Sequence, residues 1–499
     1  MGWLKDKVLQ WLDIQSAAPL SVVIQEALTH ELNVFRNRLW YRGDPTELHQ
    51  FYTATDDSMH NTSFWAATAS TGVHFRKIHS GLPSLIVDVL CDLVLTDLNG
   101  IKVNATEAQE RWDKIAEDND FPAVLKSALR ETLVEGDGAF KISYDESISD
   151  FPIIEFLAGE RVKYDYQRQR LESIHFLTKA QNPDNPTKRW ILEEVYAKDG
   201  VAYNLYDARG RDAELSEVAE FADLTPITNS NEFILAVQFM IDESPKWEGR
   251  GKSLFDNKVG TFDALDECVS QWVEAMRDGR TTKYIPEVLL PKNPNTGKML
   301  RPNAFDNRFV ATGADMREQG NNQIEVKSGE IPHDALLASY TTLLDLCIQG
   351  IISPSTLGID MKKLDNAEAQ REKEKATLYT RNKIIDKLEK AIPLLVETVL
   401  KTDDMLHDRT PGDYEVSVSF GEYANPSFEA QVETVGKARQ YGIISTERAV
   451  EELYGDSLTD KDKAEEVSRI KAEQGAIDLP LADVSAELDT PVVQLHEGD

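Results

Sequence analysis

Val259-Gly260-Thr261-Phe262-Asp263-Ala264-Leu265-Asp266-Glu267-Cys268-Val269-Ser270-Gln271-Trp272-Val273-Glu274-Ala275-Met276 places apolar residues three and four positions apart. Val259, Phe262, Leu265, Val269, Trp272, Val273 and Met276 fall on one stripe, and Gly279 is a natural stop. The spacing predicts a helix over residues 258–279. Residues 280–332 are punctuated by Pro286, Pro291, Asn293-Pro294-Asn295-Thr296-Gly297, Pro302, Gly313, Gly320, Gly329 and Pro332, with short strands expected at 287–290 and 324–326. A second helix is predicted over 334–349, with Asp334 as N-cap and Gly350 just past the end. A loop follows over 351–365, containing Pro354, Gly358, Lys362 and Lys363, and then the longest helical pattern of the chain, 366–401. Its first turns are polar (Glu368, Arg371, Glu372, Lys373, Glu374, Lys375). Its later part packs through Ile384, Ile385, Leu388, Ile392, Leu395 and Val399, with a kink expected at Pro393. Helix, β excursion, helix, loop, long helix reads as a stalk pair carrying a small domain.

On the N-terminal side, residues 1–135 read mainly as helices. Trp3, Leu4, Val8, Trp11 and Leu12 make one apolar face, expected to dock on the body or a neighbour, because only Lys5 and Lys7 accompany it toward a membrane. Asp88 and Asp92 sit four apart on the apolar stretch 84–95 and read as a charged stripe rather than a metal pair. From Gly136 the period changes to two, over 138–144, 153–157, 173–178, 189–196 and 201–206, with turns at Asp199-Gly200 and Arg209-Gly210. This predicts an antiparallel sheet, with 233–241 as a further buried strand. Beyond the long helix come a strand at 414–420, a helical hairpin of 427–441 and 446–453 joined at Gly442, and a charged helix at 460–474. Residues 476–499 hold six acids, no Lys or Arg and two prolines, and read as a disordered tail. The fold class is α+β, without internal repeats.

At 499 residues the chain is too long for one compact core. Asp plus Glu number 86 against 54 Lys plus Arg, a net charge of −32 that argues against gripping a nucleic acid over the whole surface. The charge is polarised. Residues 280–308 carry six basic and two acidic residues (+4), residues 360–390 nine and seven (+2), and the remainder −38. Each patch reads as plain solvation or as a contact with an acidic partner or phosphate. The three cysteines, Cys91, Cys268 and Cys347, are far apart and odd in number, and no signal peptide precedes them, which points to a reducing cytoplasm. No run of 18 apolar residues is present, so no membrane partner is expected.

Motifs for chemistry are scarce. Gly249-Arg250-Gly251-Lys252-Ser253 ends like a phosphate loop, but Lys246 stands where the first glycine should open the turn. The nine histidines form no HExxH and no Cys–His zinc spacing, and no Gly-x-Ser-x-Gly elbow occurs. Arg42-Gly43-Asp44 reads as a turn. The residues argue against an enzyme and call for no cofactor and no metal.

The order of parts resembles that of tailed-bacteriophage portal proteins, siphophage-type head-to-tail connectors. Two segments carry the resemblance. One is Gly249-Arg250-Gly251-Lys252-Ser253-Leu254-Phe255 running into residues 262–272 and Thr282-Lys283-Tyr284-Ile285-Pro286-Glu287. The more specific is Gly350-Ile351-Ile352-Ser353-Pro354-Ser355-Thr356-Leu357-Gly358-Ile359-Asp360 with Asn366-Ala367-Glu368-Ala369-Gln370-Arg371-Glu372-Lys373-Glu374. Trp40-Tyr41-Arg42-Gly43-Asp44-Pro45 adds to them, and the similarity in order spans roughly residues 35–455; the acidic tail departs from it.

The resemblance implies a wing over 1–257, stem helices at 258–280 and 333–350, a clip at 281–332, a channel loop at 351–365, a long helix and returning wing strand at 366–425, crown-like helices at 426–475 and the tail at 476–499. It implies a homo-oligomeric ring, usually of twelve copies, assembled in the bacterial cytoplasm and then part of the virion at one capsid vertex. Double-stranded DNA would pass through it in both packaging and ejection, in weak contact with the channel. The expected partners are the terminase motor, the major capsid or scaffold protein and head-completion proteins. Lys362, Lys363, Ser353 and Thr356 would face DNA from the loop, and Glu368, Arg371, Glu372 and Lys375 would line the wall. Lys292, Lys298, Arg301 and Arg308 would meet the motor, and Phe262, Leu265, Val269, Trp272 and Met276 would pack the stem. For Lys362 and Lys363 the competing reading is pairing with Asp360 and Asp365 in a solvated helix cap. For the whole chain the alternatives are a minor capsid or scaffold-like protein without DNA passage, and a DNA-packaging ATPase, against which the missing phosphate loop weighs.

Overall fold

In the computed structural model the described residues are 28–55, 63–68, 75–181, 188–229, 233–286, 289–290, 292–298, 309–312, 324–327, 329, 331–359, 367–421, 428–454 and 460–473. The chain divides into two units, Met1–Gly421 and Glu422–Asp499. The first begins with helices α1 (His30–Arg42), α2 (Pro45–Ala54) and α3 (Leu82–Thr96), strand β1 (Leu98–Val103), and helices α4 (Thr106–Asp118) and α5 (Phe121–Glu135). Then come β2 (Asp137–Ser143), β3 (Ile153–Ala158), β4 (Val162–Gln167), β5 (Arg170–Gln181), β6 (Arg189–Ala197), β7 (Gly200–Asp207), β8 (Asp212–Ala213), β9 (Ile227–Thr228) and β10 (Ala236–Met240). Next are α6 (Val259–Asp278), β11 (Thr282–Pro286), β12 (Phe309–Thr312), β13 (Glu325–Lys327), α7 (His333–Ile348), α8 (Ala367–Leu406) and β14 (Val416–Phe420).

The architecture is mixed α+β with open sheets. The period-two region forms two sheets rather than one: β10-β2-β3, and β4-β5-β6-β7-β8 with β9 also on β7. They face each other through Leu157, Ala139, Ile174, Phe176 and Tyr196, and Lys141 of β2 reaches Glu194 of β6 at 2.7 Å. A charge pair so enclosed survives because the desolvation cost is offset by a close partner. The strand β1 falls within a region that reads as helical. It pairs antiparallel with β14, more than 300 residues on, and the two flank the main core through Ile101, Val418 and Phe420.

That core is mainly helical, with Phe140, Ile142, Ile154 and Phe239 added from the β10-β2-β3 sheet. It joins α3 and α5 to the buried face of α8, where Ile384, Leu388, Ile392, Leu395 and Val399 lie at heptad-like spacing. Pro393 does not end α8, which runs on to Leu406. The far end of α8 is locked by a charge network. Asp403 and Asp404 are nearly buried, and both accept from Arg111 of α4 and from Arg409. Burial works to raise the Asp404 carboxyl, but hydrogen bonds from Tyr414 and Arg111 outweigh it and hold the group below its ordinary value.

The second unit contains α9 (Phe428–Gln440), α10 (Thr446–Tyr454) and α11 (Asp460–Glu473). Gly442, at φ +70°, makes the turn after α9. Val450 and Ala449 are buried, and Lys463 and Lys471 of α11 pair with Glu451 and Glu447 of α10.

Candidate functional site

The α6–α7 pair and the chain that leaves it define the site. Lys258, at the start of α6, donates to the carbonyls of Leu346 (2.7 Å) and Gln349 (2.9 Å) at the end of α7. At the other end Trp272 of α6 packs on His333 and Tyr340 near the start of α7. The two helices are therefore antiparallel. The apolar stripe of α6 divides along its length. Phe262 and Leu265 are fully buried in the main core, Phe262 against Trp40 and Phe255. Val269 and Trp272 are half-buried, and Met276 is exposed. Only the distal half of the predicted stem stripe is therefore available to a neighbour.

Two carboxylates on α6 act inward. Asp263 accepts from Ser63 Oγ and from the backbone N–H groups of Phe64 and Trp65. Asp266 accepts from the Ser80 N–H at 2.8 Å and contacts His79 Nδ1 at 2.7 Å. They strap the chain around residues 63–80 to the helix, a role that spacing within α6 does not reveal.

Between α6 and α7 the chain makes a three-stranded sheet in the order β12-β11-β13, with β12 parallel and β13 antiparallel to β11. Lys292 and Lys298 are exposed here, on a turn closed by Asn293 and Lys298 backbone atoms at 2.8 Å. Arg301 and Arg308 lie outside the described residues, as do residues 287 and 288 of the expected 287–290 strand; Leu289 and Leu290 are not in a strand, and the strand lies earlier, at Thr282–Pro286.

The loop after α7 is anchored rather than free at its start. Ile351 and Ile352 are buried, and Gly350 and Gly358 take φ near +78° and +69°. Ser353 corrects an expectation. It is 2% exposed, its N–H donates to Thr377 Oγ1 at 2.9 Å, and its hydroxyl forms a triangle with Thr356 and Thr377. It therefore presents nothing to a ligand; the hydroxyls fasten the loop to α8, and Thr356 is half-buried in the same cluster. Thr377 and Arg381 continue the α8 stripe N-terminally from Ile384 at helical spacing, the signal that could have found them. Lys362 and Lys363 lie outside the described residues. Glu368, Arg371 and Glu372 lie on α8, but their side chains are outside the description; Lys375 is exposed.

Gly249-Arg250-Gly251-Lys252-Ser253 is a structural weld. Arg250 donates to Asp137 Oδ1 (2.7 Å), Gly159 O (2.7 Å) and Val162 O (2.6 Å), and Gly251 N–H donates to Asp137 Oδ2. Ser253 Oγ donates to Val134 O at 2.6 Å. Gly136, at φ +108°, has no room for a Cβ, which would sit 2.6 Å from Gly251 O. The backbone N–H groups of Arg250, Gly251, Lys252 and Ser253 are turned to protein acceptors, so they form no phosphate cradle.

Ser173, His175 and Glu193 line up with Oγ–Nε2 at 2.9 Å and Nδ1–Oε1 at 3.1 Å, the spacing of a nucleophile triad. The resemblance ends at the environment. Asp165 competes for Nε2 at 3.0 Å, Ser173 is buried, and β5 is an interior strand whose backbone is paired on both sides, leaving no N–H for an oxyanion. Among the described residues no group of three or more His, Cys, Asp or Glu is placed to hold a metal ion. Burial pushes the Cys91 thiol up to about 12 and Cys347 to about 11, which makes both poor nucleophiles.

No family model and no curated protein matches the sequence. Among solved structures, a chain of the neck of a native gene transfer agent particle, computed with C12 symmetry, is similar at 12% identity with a TM-score of 0.39, over 78% of this chain and 90% of that one. A chain of the virion of a native gene transfer agent particle is similar at 10% identity with a TM-score of 0.40, over 88% of this chain and 96% of that one. At such scores the likeness establishes neither a shared fold nor a shared function.

Proposed function

We infer that this chain is a portal-type head-to-tail connector, a structural protein that assembles into a closed ring through which double-stranded DNA passes. The observation that carries the reading is the order and connection of parts. An antiparallel helix pair bears a small sheet at one end, and at the other it runs through a short anchored loop into a 40-residue helix. That order accords with the stem, clip, channel loop and long helix that the sequence resemblance implies. In this reading α6 and α7 are the stem, β11–β13 the clip that receives the packaging motor and later the head-completion protein, and residues 351–365 the channel loop. The preceding α/β region is the wing, and α9–α11 belong to the crown. The ring would hold about twelve copies, as the resemblance implies. Assembly would take place in the bacterial cytoplasm, with the ring ending in the virion.

The acidic surface suits sliding. A chain of net charge −32 offers phosphates few strong contacts, so DNA is not held in place. Electron micrographs of the purified protein test the reading: rings with a central hole are expected, and a uniformly monomeric or open-ended population rejects it.

A further inference from the structure

A cavity of about 350 Å³ opens where the end of β10, the loop leading into α6, the end of α7 and the α8 face around Tyr379 meet. Apolar side chains, among them Ile241 and Ile384, line part of it. Its charged groups are Lys252, Lys258 and Lys383 against the single carboxylate of Asp242. Three lysines, two from the segment leading into α6 and one from α8, line this cavity in a protein whose overall balance is strongly negative.

The ammonium groups are not equally committed. Lys258 spends two N–H groups on the Leu346 and Gln349 carbonyls, which also neutralises the negative end of α7. Lys383 pairs with Asp242. The Lys252 ammonium has no hydrogen-bond or ion-pair partner among the described residues, although its backbone N–H is fixed to Asp242 O at 2.8 Å. Burial pushes Lys258 below its ordinary value, a cost that an anion in the cavity would relieve.

We propose that this cavity is a binding site for one phosphate-class oxyanion, held by the ammonium groups of Lys252 and Lys383 beside Lys258. The geometry selects against a whole nucleotide. The N–H groups of Gly251, Lys252, Ser253 and Leu254 already donate to Asp137, Asp242, Asp256 and Leu133, so no backbone nest is left for a polyphosphate. The volume is also at the low end for a ligand of that size. The lysine of the Gly249–Ser253 motif thus acquires a role that needs no phosphate loop. Oxyanion binding here does not require the ring, so it stands or falls separately from the portal reading.

The test is calorimetric titration of the full-length protein with inorganic phosphate, against chloride at matched ionic strength. Saturable binding is expected. Lys252→Ala should weaken it about tenfold or more, the worth of one charge-assisted hydrogen bond. Asp242→Asn, which frees Lys383, should tighten it, and Lys163→Ala on the exposed edge of β4 should leave it unchanged. Melting curves in phosphate-free buffer establish that each variant is folded. Absence of saturation by about 10 mM phosphate, unaltered binding in folded Lys252→Ala, or weaker binding in Asp242→Asn overturns the assignment. Loss of affinity for duplex DNA but not for phosphate in Lys252→Ala overturns it equally, and moves the residue to a nucleic-acid face.

Discussion

Two side chains of one motif, Arg250 and Lys252, should behave in opposite ways. Among the described residues Arg250 is the sole guanidinium on Asp137, a fully buried carboxylate, and it also satisfies the carbonyls of Gly159 and Val162. Arg250→Ala removes three hydrogen bonds and leaves Asp137, among the described residues, with the Gly251 N–H as its remaining partner. Breaking a buried pair from one side costs about 3–5 kcal/mol. For a cooperative unit of roughly 400 residues the unfolding entropy is on the order of 0.8 kcal/mol/K, so the melting temperature should fall by roughly 4–6 °C. Lys252→Ala, one turn of the loop away and half-exposed, should melt within about 1 °C of the parent in phosphate-free buffer. Scanning calorimetry of both variants at neutral pH is the assay. If Arg250→Ala melts with the parent protein, the weld between the loop, β2 and the 159–162 segment is not what holds this region, and the structural account of the motif is refuted.

Trp272→Asp should leave the chain folded, since Trp272 is only half-buried against His333 and Tyr340, yet reduce ring formation in native mass measurements; undiminished rings would remove the distal α6 stripe as a packing surface. His30 is held down to about 4, first by burial and then by the Arg250 charge, so it is neutral in the fold while the unfolded chain takes up a proton below about 6.5. Its contribution to stability is present above that pH and is lost between pH 6.5 and about 4, and His30→Gln should flatten the acid limb of a stability–pH curve over that window; an identical slope counts against the shift. A photoreactive group at Lys362 should capture DNA in filled particles while one at Asp199, in the turn between β6 and β7, should not, and the reverse pattern would dismiss the channel-loop assignment.

Much of the architecture could be read in advance because it is local. The α6 and α7 periodicities, the long α8 pattern and the alternating strands between residues 170 and 207 each follow from neighbours three, four or two residues apart. What escaped reading is long-range. The segment Leu98–Val103 alternates weakly and becomes a strand only because residues 416–420 lie beside it. The division into two sheets depends on β10 pairing with β2 across almost a hundred residues. At the site, Lys252 and Lys383 share a cavity by tertiary placement alone, and the Asp263 and Asp266 carboxylates look like a solvated face until the residues they strap are seen. Ser353 illustrates the opposite error: a hydroxyl in a loop invites a ligand role, whereas its partner Thr377 is 24 residues away in sequence and already in place.

Lys258 and Gln349 bound a 90-residue path, and a hydrogen bond from one residue to the other closes it at its base. Higher up it is pinched again, with a Cβ on Gly329 falling 3.3 Å from Gly279 Cα. Everything beyond those pinches is a cassette. Its interior can lengthen, shorten or be exchanged with its two ends held side by side at Gly279 and Gly329. In the portal reading, where this segment is the clip, such a layout lets it diversify while the framework beneath is kept. It also marks residues 280–328 as the place to graft a foreign domain.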